Sequence, residues 1–187
     1  MTEFPSAAKP MRLLAISGSL RRASVNTAAL EALALLAPEG VKVLVYRKLA
    51  ELPPFNPDDD VEDRPNPEPV ERLRALIGAS DALIIAAPEY AHGPPGVLKN
   101  ALDWLVASET FAGKPVALVN ASPRAFHAQA QLREVLSTMA ARVVPQAFVE
   151  LSLAGKAVTA DEIVADPASA QRLKEALAAL IRTLKEP

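Results

Sequence analysis

"MRLLAIS" (Met11–Ser17), followed at once by "GSLRRASVN" (Gly18–Asn26), decides how this chain folds. The first stretch is an almost unbroken apolar run, the pattern of a parallel strand covered on both faces. The second carries two serines, two adjacent arginines and an asparagine, and helical spacing follows it. Hydroxyls and guanidinium groups between a buried strand and a helix N-terminus suit an anion, because the helix's unpaired amides and dipole favour negative charge.

The same unit recurs outward from this point. "RLLAIS" (Arg12–Ser17), "VKVLVY" (Val41–Tyr46), "DALIIAA" (Asp81–Ala87), "PVALVN" (Pro115–Asn120) and "AFVEL" (Ala147–Leu151) read as five strands. Between them lie helical faces: Leu30, Leu33, Ala34 and Ala37, capped by Ser24 or Asn26; then Val70, Leu73, Leu76 and Ile77, stopped by Gly78. Val97, Leu98, Ala101, Leu102 and Leu105 make a third face, and Leu132, Val135, Leu136 and Met139 a fourth. Leu173, Leu177, Leu180, Ile181 and Leu184 make the last, opened by Asp166-Pro167.

Strands alternating with helices predict an α/β fold, a three-layer doubly wound five-stranded parallel sheet of flavodoxin-like order 2-1-3-4-5. Residues 1–10 read as a short flexible tail and 11–187 as a single domain. In that order a crevice opens beyond strands one and three, where "SGSLRRASVN" and "PEYAHGPPG" fall.

Composition narrows the chemistry. Half of the 187 residues are hydrophobic and the net charge is −2, which argues against a nucleic-acid partner. There is no cysteine, so disulfides, thiolate nucleophiles and cysteine–zinc sites are excluded. "MTEFPSAAKP" is too short and polar for a signal peptide, and no 18-residue apolar run appears, so a soluble cytoplasmic protein without membrane contact is expected. The two histidines, His92 and His127, lack metal-motif spacing.

The first loop has the G-x-G-x-x-G of no dinucleotide fold, the lysine ending of no Walker loop and the cysteine of no phosphatase loop. A receiver domain would need an aspartate where Pro88 stands. A terminal phosphate monoester remains, with Arg21 offering a bidentate fork; the alternative is that Ser24 and Asn26 are plain caps and the arginines surface charge. In "PEYAHGPPG", proline stiffens and glycine frees the backbone, and Tyr90 either meets a flat ligand or packs at the strand end. A third loop, Leu52–Pro69, is rich in proline and acid and reads as a functional flap or a mobile connector. Its Asp58–Asp60 run reads as a solvated acidic turn, with a hard cation as the other option. Trp104 reads as core or subunit interface.

"GSLRRASVN" together with "PEYAHGPPGVLKNALDWL" resembles the NADPH-dependent FMN reductase family, which carries G-S-L-R-x-x-S-x-N and P-E-Y-x-x-x-x-P-G-x-L-K-N-A-x-D-W-L. The resemblance implies a non-covalently bound FMN that accepts hydride from NADPH or NADH, and reduction of quinones, free flavins, azo compounds or metal oxyanions. By position it puts Ser17, Ser19, Arg21, Ser24 and Asn26 on the FMN-phosphate loop, and Pro88, Glu89, Tyr90, His92 and Gly93 beside the isoalloxazine ring. It also implies a homodimer or dimer of dimers. One departure stands out. Where many relatives have a glycine-rich loop after strand four, this chain has "NASPRAFHAQ" (Asn120–Gln129), leaving Ser122 as the candidate for the ring edge, while Arg124 reads as a plain surface arginine, with a nicotinamide phosphate as the other option.

The resemblance and the residues leave three functions to separate: an FMN-dependent oxidoreductase with ping-pong kinetics, a flavodoxin-type electron carrier, and a phosphosugar or nucleotide module without chemistry. Carriers are usually strongly acidic, which a charge of −2 fits poorly. No protein nucleophile or acid–base residue is expected. The chemistry is expected at the flavin, with His92 shaping the substrate mouth.

Overall fold

A computed structural model describes residues 9–61, 63–153 and 158–186. Most of the expected flexible tail, residues 1–8, lies outside the described residues.

The central sheet is parallel, in the order β2-β1-β3-β4-β5, with a further strand, β6, on β4. Its strands are β1 (Met11–Ser17), β2 (Val41–Tyr46), β3 (Ala82–Ala86), β4 (Pro115–Asn120), β5 (Arg142–Val143) and β6 (Val149–Glu150). β3 and β4 are buried at every residue, as expected for central strands, whereas β2 alternates between exposed and half-covered positions at the edge.

Side-chain alternation divides the core in two. Leu13 and Ala15 of β1 face one cluster, which is completed by α1 (Val25–Leu35), α5 (Ala160–Ala165) and α6 (Pro167–Lys185). Leu14 and Ile16 face the other, completed by α2 (Glu68–Gly78), α3 (Gly96–Asp103) and α4 (Phe126–Thr138). The three-layer doubly wound architecture is therefore as the sequence predicts.

The fifth strand differs. The expected strand over Ala147–Leu151 contains β6, but β5 lies ahead of those bounds, and a 3-10 turn over Pro145–Ala147 separates the two, each pairing with a different end of β4. Pro145 has no N–H to give to a ladder, so pairing pauses there. It pauses after the Val144 amide reaches Val116 O at 2.9 Å and resumes where Leu151 N reaches Asn120 O at 2.8 Å. Asp166 caps α6 as expected, its side chain accepting from Ser169 N, and α5 immediately before it is an additional helix. Thr159 and Glu162 close α5 with a reciprocal capping box.

The proline- and acid-rich loop is tied to α2 and α3 at several points. Asn100 and Trp104, one turn apart on and after α3, both donate to the Pro53 carbonyl, at 2.9 and 2.8 Å. The Asn100 side-chain Oδ1 accepts from Phe55 N at 2.7 Å, and Phe55 meets the Trp104 ring edge-on with centroids 5.1 Å apart. Asp60 takes both its oxygens to Arg74 Nη2 at 2.9 Å, and Arg74 Nε also donates to the Trp104 carbonyl at 3.1 Å. The acidic run therefore meets arginine, since Arg64 pairs with Asp59. Among the described residues no cluster of three or more metal-ligating side chains occurs. Trp104 is fully buried within the protomer, in core rather than at an interface.

Candidate active site

β1 and β3 are neighbours whose crossovers run to opposite faces, and their C-terminal ends open a crevice. Gly18 sets how closely the two loops approach. Its N–H continues the ladder to Ala86 O at 2.8 Å, and a Cβ at this position would lie 3.0 Å from Ala87 Cβ and 3.2 Å from Leu98 Cδ2. Any larger residue would push the first loop off β3.

Beyond Gly18 the loop is organised by its own hydroxyls. Ser17 and Thr27 share a hydrogen bond of 2.7 Å between their hydroxyl oxygens, and Ser19 Oγ accepts from Arg21 N at 3.3 Å. Ser24 is the N-cap of α1, accepting from Thr27 N at 3.3 Å. The first turn of α1 contains no acidic residue, so its positive end is not neutralised from within.

These elements face a cleft of about 590 Å³. Ser19, Arg21, Ser24 and Asn26 line one wall, Pro88, Glu89 and Tyr90 another, and Ser122 with Arg124 a third. Eight of the eleven positions singled out from sequence thus meet at one cleft: Ser19, Arg21, Ser24, Asn26, Pro88, Glu89, Tyr90 and Ser122. Ser17, only 2% exposed, lies behind the wall and shapes it through Thr27. His92 and Gly93 stand on the turn beside it. The arginine pair divides: Arg21 faces this cleft, while Arg22 lines a separate hollow beside Arg47. Tyr90 and Arg21 also border an apolar hollow with Leu20 and Gly96, onto which the N-terminus of α3 opens.

The donor set suits a phosphate monoester. Asn26 is 6% exposed, yet its side-chain amide has no hydrogen-bond partner among the described residues and lines the cleft. An amide that faces the cleft with its donor free can give a hydrogen bond to a phosphate oxygen. Two serine hydroxyls, the α1 end and Arg21 complete the set.

The wall after β3 is a tight turn. Tyr90 and Gly93 exchange both backbone hydrogen bonds, at 2.9 and 3.0 Å, with Ala91 (φ +48°) and His92 (φ +61°) in the left-handed region. α4 holds this turn at three points. The Glu89 carboxylate accepts from Ala128 N at 2.8 Å, Gln131 Nε2 donates to the His92 carbonyl at 2.8 Å, and the His92 and His127 rings stack with centroids 4.3 Å apart. Glu89 is thus occupied in capping α4. The Gln131 clamp and the histidine stack carry no sequence signal, because each joins residues more than thirty positions apart.

The chain matches the family model for NADPH-dependent FMN reductases over residues 11–156. It belongs to that family. An NAD(P)H-dependent FMN reductase of Pseudomonas aeruginosa is 36% identical over 175 residues, covering 91% of this chain and 93% of that protein. A probable NADPH:quinone oxidoreductase 2 of Oryza sativa is 32% identical, covering 95% of this chain and 91% of its own length. Among solved structures, the flavoenzyme NAD(P)H:(acceptor) oxidoreductase FerB of Paracoccus denitrificans aligns with a TM-score of 0.74 at 28% identity, covering 94% of this chain and 98% of that one. As a member of the FMN reductase family, the protein is a flavin-dependent oxidoreductase working with FMN and NAD(P)H. The cleft's phosphate-type donor set is chemically consistent with that cofactor.

Proposed function

We propose that the cleft holds FMN, and that NADPH or NADH and an electron acceptor then take turns at its one open side. The observation that carries this reading is the Asn26 amide, without a hydrogen-bond partner among the described residues, beside Ser19, Ser24, Arg21 and the free end of α1. These groups neutralise a dianionic phosphate, while Ser17 holds their loop rigid through Thr27. Pro88, Glu89, Tyr90 and Ser122 wall the ring, and His92 and Gly93 carry that wall outward to the mouth. When bound, FMN supplies hydride acceptance and the onward release of two electrons.

No side chain here is assigned a proton transfer, since the cleft's carboxylate, Glu89, is already engaged with the α4 backbone. Acceptors therefore need only access, which suits quinones, free flavins, azo compounds or metal oxyanions alike. The reading includes one domain over residues 11–187, a cytoplasmic setting and a homodimer or dimer of dimers. Among the described residues no helix is long and apolar enough to cross a membrane.

The test is a purified protein that carries a flavin spectrum, bleached by NADPH under argon and restored by a quinone. Double-reciprocal plots should be parallel. Intersecting lines would show donor and acceptor bound together and end the turn-taking scheme. A bound flavin that NADPH fails to bleach would point to an electron carrier. Light scattering that returns the mass of one protomer would remove the dimer.

A further inference from the structure

The loop after β4 has a feature that the cleft does not explain. Ser122 O accepts from Ala125 N at 2.9 Å, closing a turn with Pro123 and Arg124 at its centre. Pro123 fixes the backbone angle that such a turn requires at this position. Arg124 is thereby presented at the turn's tip, exposed, lining the cleft and without an ion-pair partner among the described residues. Two residues on, Phe126 is 62% exposed and does not line the cleft. Its ring is tilted against His127 with centroids 4.0 Å apart, and His127 stacks in turn on His92. A ligand with its reactive end inside the cleft would meet Arg124 at the lip and this run of rings beyond it.

Arg124 lines the cleft from the loop after β4, apart from the groups of the first loop. Arg21 and the α1 end already serve a phosphate at the first loop. Among the described residues Arg124 makes no ion pair with Glu89, the carboxylate in the lining, which accepts from Ala128 N, and no acidic side chain occurs between Ala121 and Ala125. A guanidinium left free beside an exposed ring suits a second oxyanion attached to a flat base. A base stacks readily on an aromatic side chain.

We propose that Arg124 binds the ribose 2′-phosphate of NADPH and that Phe126 supports its adenine, so that this loop makes the enzyme prefer NADPH over NADH. The inference rests on the proposed placement of FMN and donor in the cleft. NADH lacks the phosphate, so an unpaired Arg124 gives it no advantage.

The test uses the FMN-loaded protein. Calorimetry with 2′,5′-ADP and 5′-AMP reads binding without turnover. Wild type should bind 2′,5′-ADP more tightly, and Arg124→Ala should weaken it by about tenfold to a hundredfold, as expected for a lost charge-assisted contact. Arg124→Lys should recover part of the loss, and Phe126→Ala should weaken both nucleotides. In rapid reduction of the flavin, Arg124→Ala should lower the NADPH to NADH efficiency ratio by a similar factor. Unchanged 2′,5′-ADP binding or an unchanged ratio in Arg124→Ala overturns the proposal. So does a variant whose only change is in FMN affinity or flavin potential, since Arg124 would then serve the flavin. A wild-type flavin that neither nucleotide reduces would instead overturn the reading on which the proposal rests.

Discussion

Gln131 Nε2 donates to the carbonyl oxygen of His92 at 2.8 Å, so the second turn of α4 holds the loop that follows β3. The held segment is a two-residue turn in which Ala91 and His92 both take positive φ without being glycine. Each such residue costs on the order of 1–3 kcal/mol and persists only where the surroundings over-determine it. The Glu89 contact to Ala128 and the His92–His127 stack supply the rest of that constraint. The strain lies where the mouth of the cleft is shaped.

Ala91 is exposed at φ +48°, so Ala91→Gly should stabilise the protein by about 1 kcal/mol in urea unfolding. Gln131→Ala should lower stability by about 1 kcal/mol and loosen the turn, through one lost hydrogen bond. A destabilised Ala91→Gly would contradict the left-handed turn.

Arg21 faces the cleft and Arg22 does not. Arg21→Ala should therefore weaken FMN binding by about tenfold to a hundredfold, the effect of losing a charge-assisted hydrogen bond of about 1.5–3 kcal/mol. Arg22→Ala should leave it within a factor of about two, which is under 0.5 kcal/mol. Fluorescence quenching of added FMN measures both, and the reverse ranking would move the phosphate to the other side of the loop.

His92 stands on the turn after β3, stacked on His127, and is proposed to shape the mouth of the cleft. His92→Ala should alter the KM for the acceptor far more than the rate at which NADPH reduces the flavin. Stopped-flow reduction separates the two steps. A flavin no longer reduced would give His92 a part in hydride transfer.

Asp60 and Arg74 are 11% and 18% exposed and tie the loop over Leu52–Pro69 to α2. Asp60→Ala strands a largely buried guanidinium and should cost about 1–3 kcal/mol. Limited proteolysis should show faster cutting in this loop. Equal rates for variant and wild type would mean that the loop is held by Asn100 and Trp104 alone.

The Thr159 N–H and hydroxyl donate to Glu162 at 2.7 and 3.0 Å, and hold its carboxyl below the ordinary value of 4.5. A folded-state value below the unfolded one gives stability that is complete above the unfolded value and is lost as pH falls through the folded one. The advantage of wild type over Glu162→Gln should therefore be present at neutral pH and shrink on acidification below about 4.5, which thermal melts across pH would show. A gap that stays constant would mean that the carboxylate's charge is not what strengthens the cap.

The layered fold is legible in the chain because its determinants are local and periodic. Continuous apolar runs require cover on both faces, 3.6-residue spacing supplies helices to cover them, and right-handed crossovers leave few orders for the sheet. The two loops at the strand-order reversal follow from that order together with their hydroxyl, arginine and proline content. Strand five is legible only in part: the apolar run Ala147–Leu151 contains β6, whereas β5, cut off by Pro145, is two residues long and too short to carry a period.

Tertiary structure decided what depends on meetings between distant residues. Asn100 and Trp104 look like ordinary helix residues until Pro53 lies under both, and that contact ties a proline-rich connector to α3. Glu89 looks like a ligand group until α4 brings Ala128 to it. Arg21 and Arg22 are indistinguishable as letters, and only the path of the loop ahead of α1 sends one into the cleft and the other away. Periodicity determines which face of an element is buried, but a hydrogen bond forms only where two chain segments arrive within about 3 Å, and that distance is set by the packing of the whole domain.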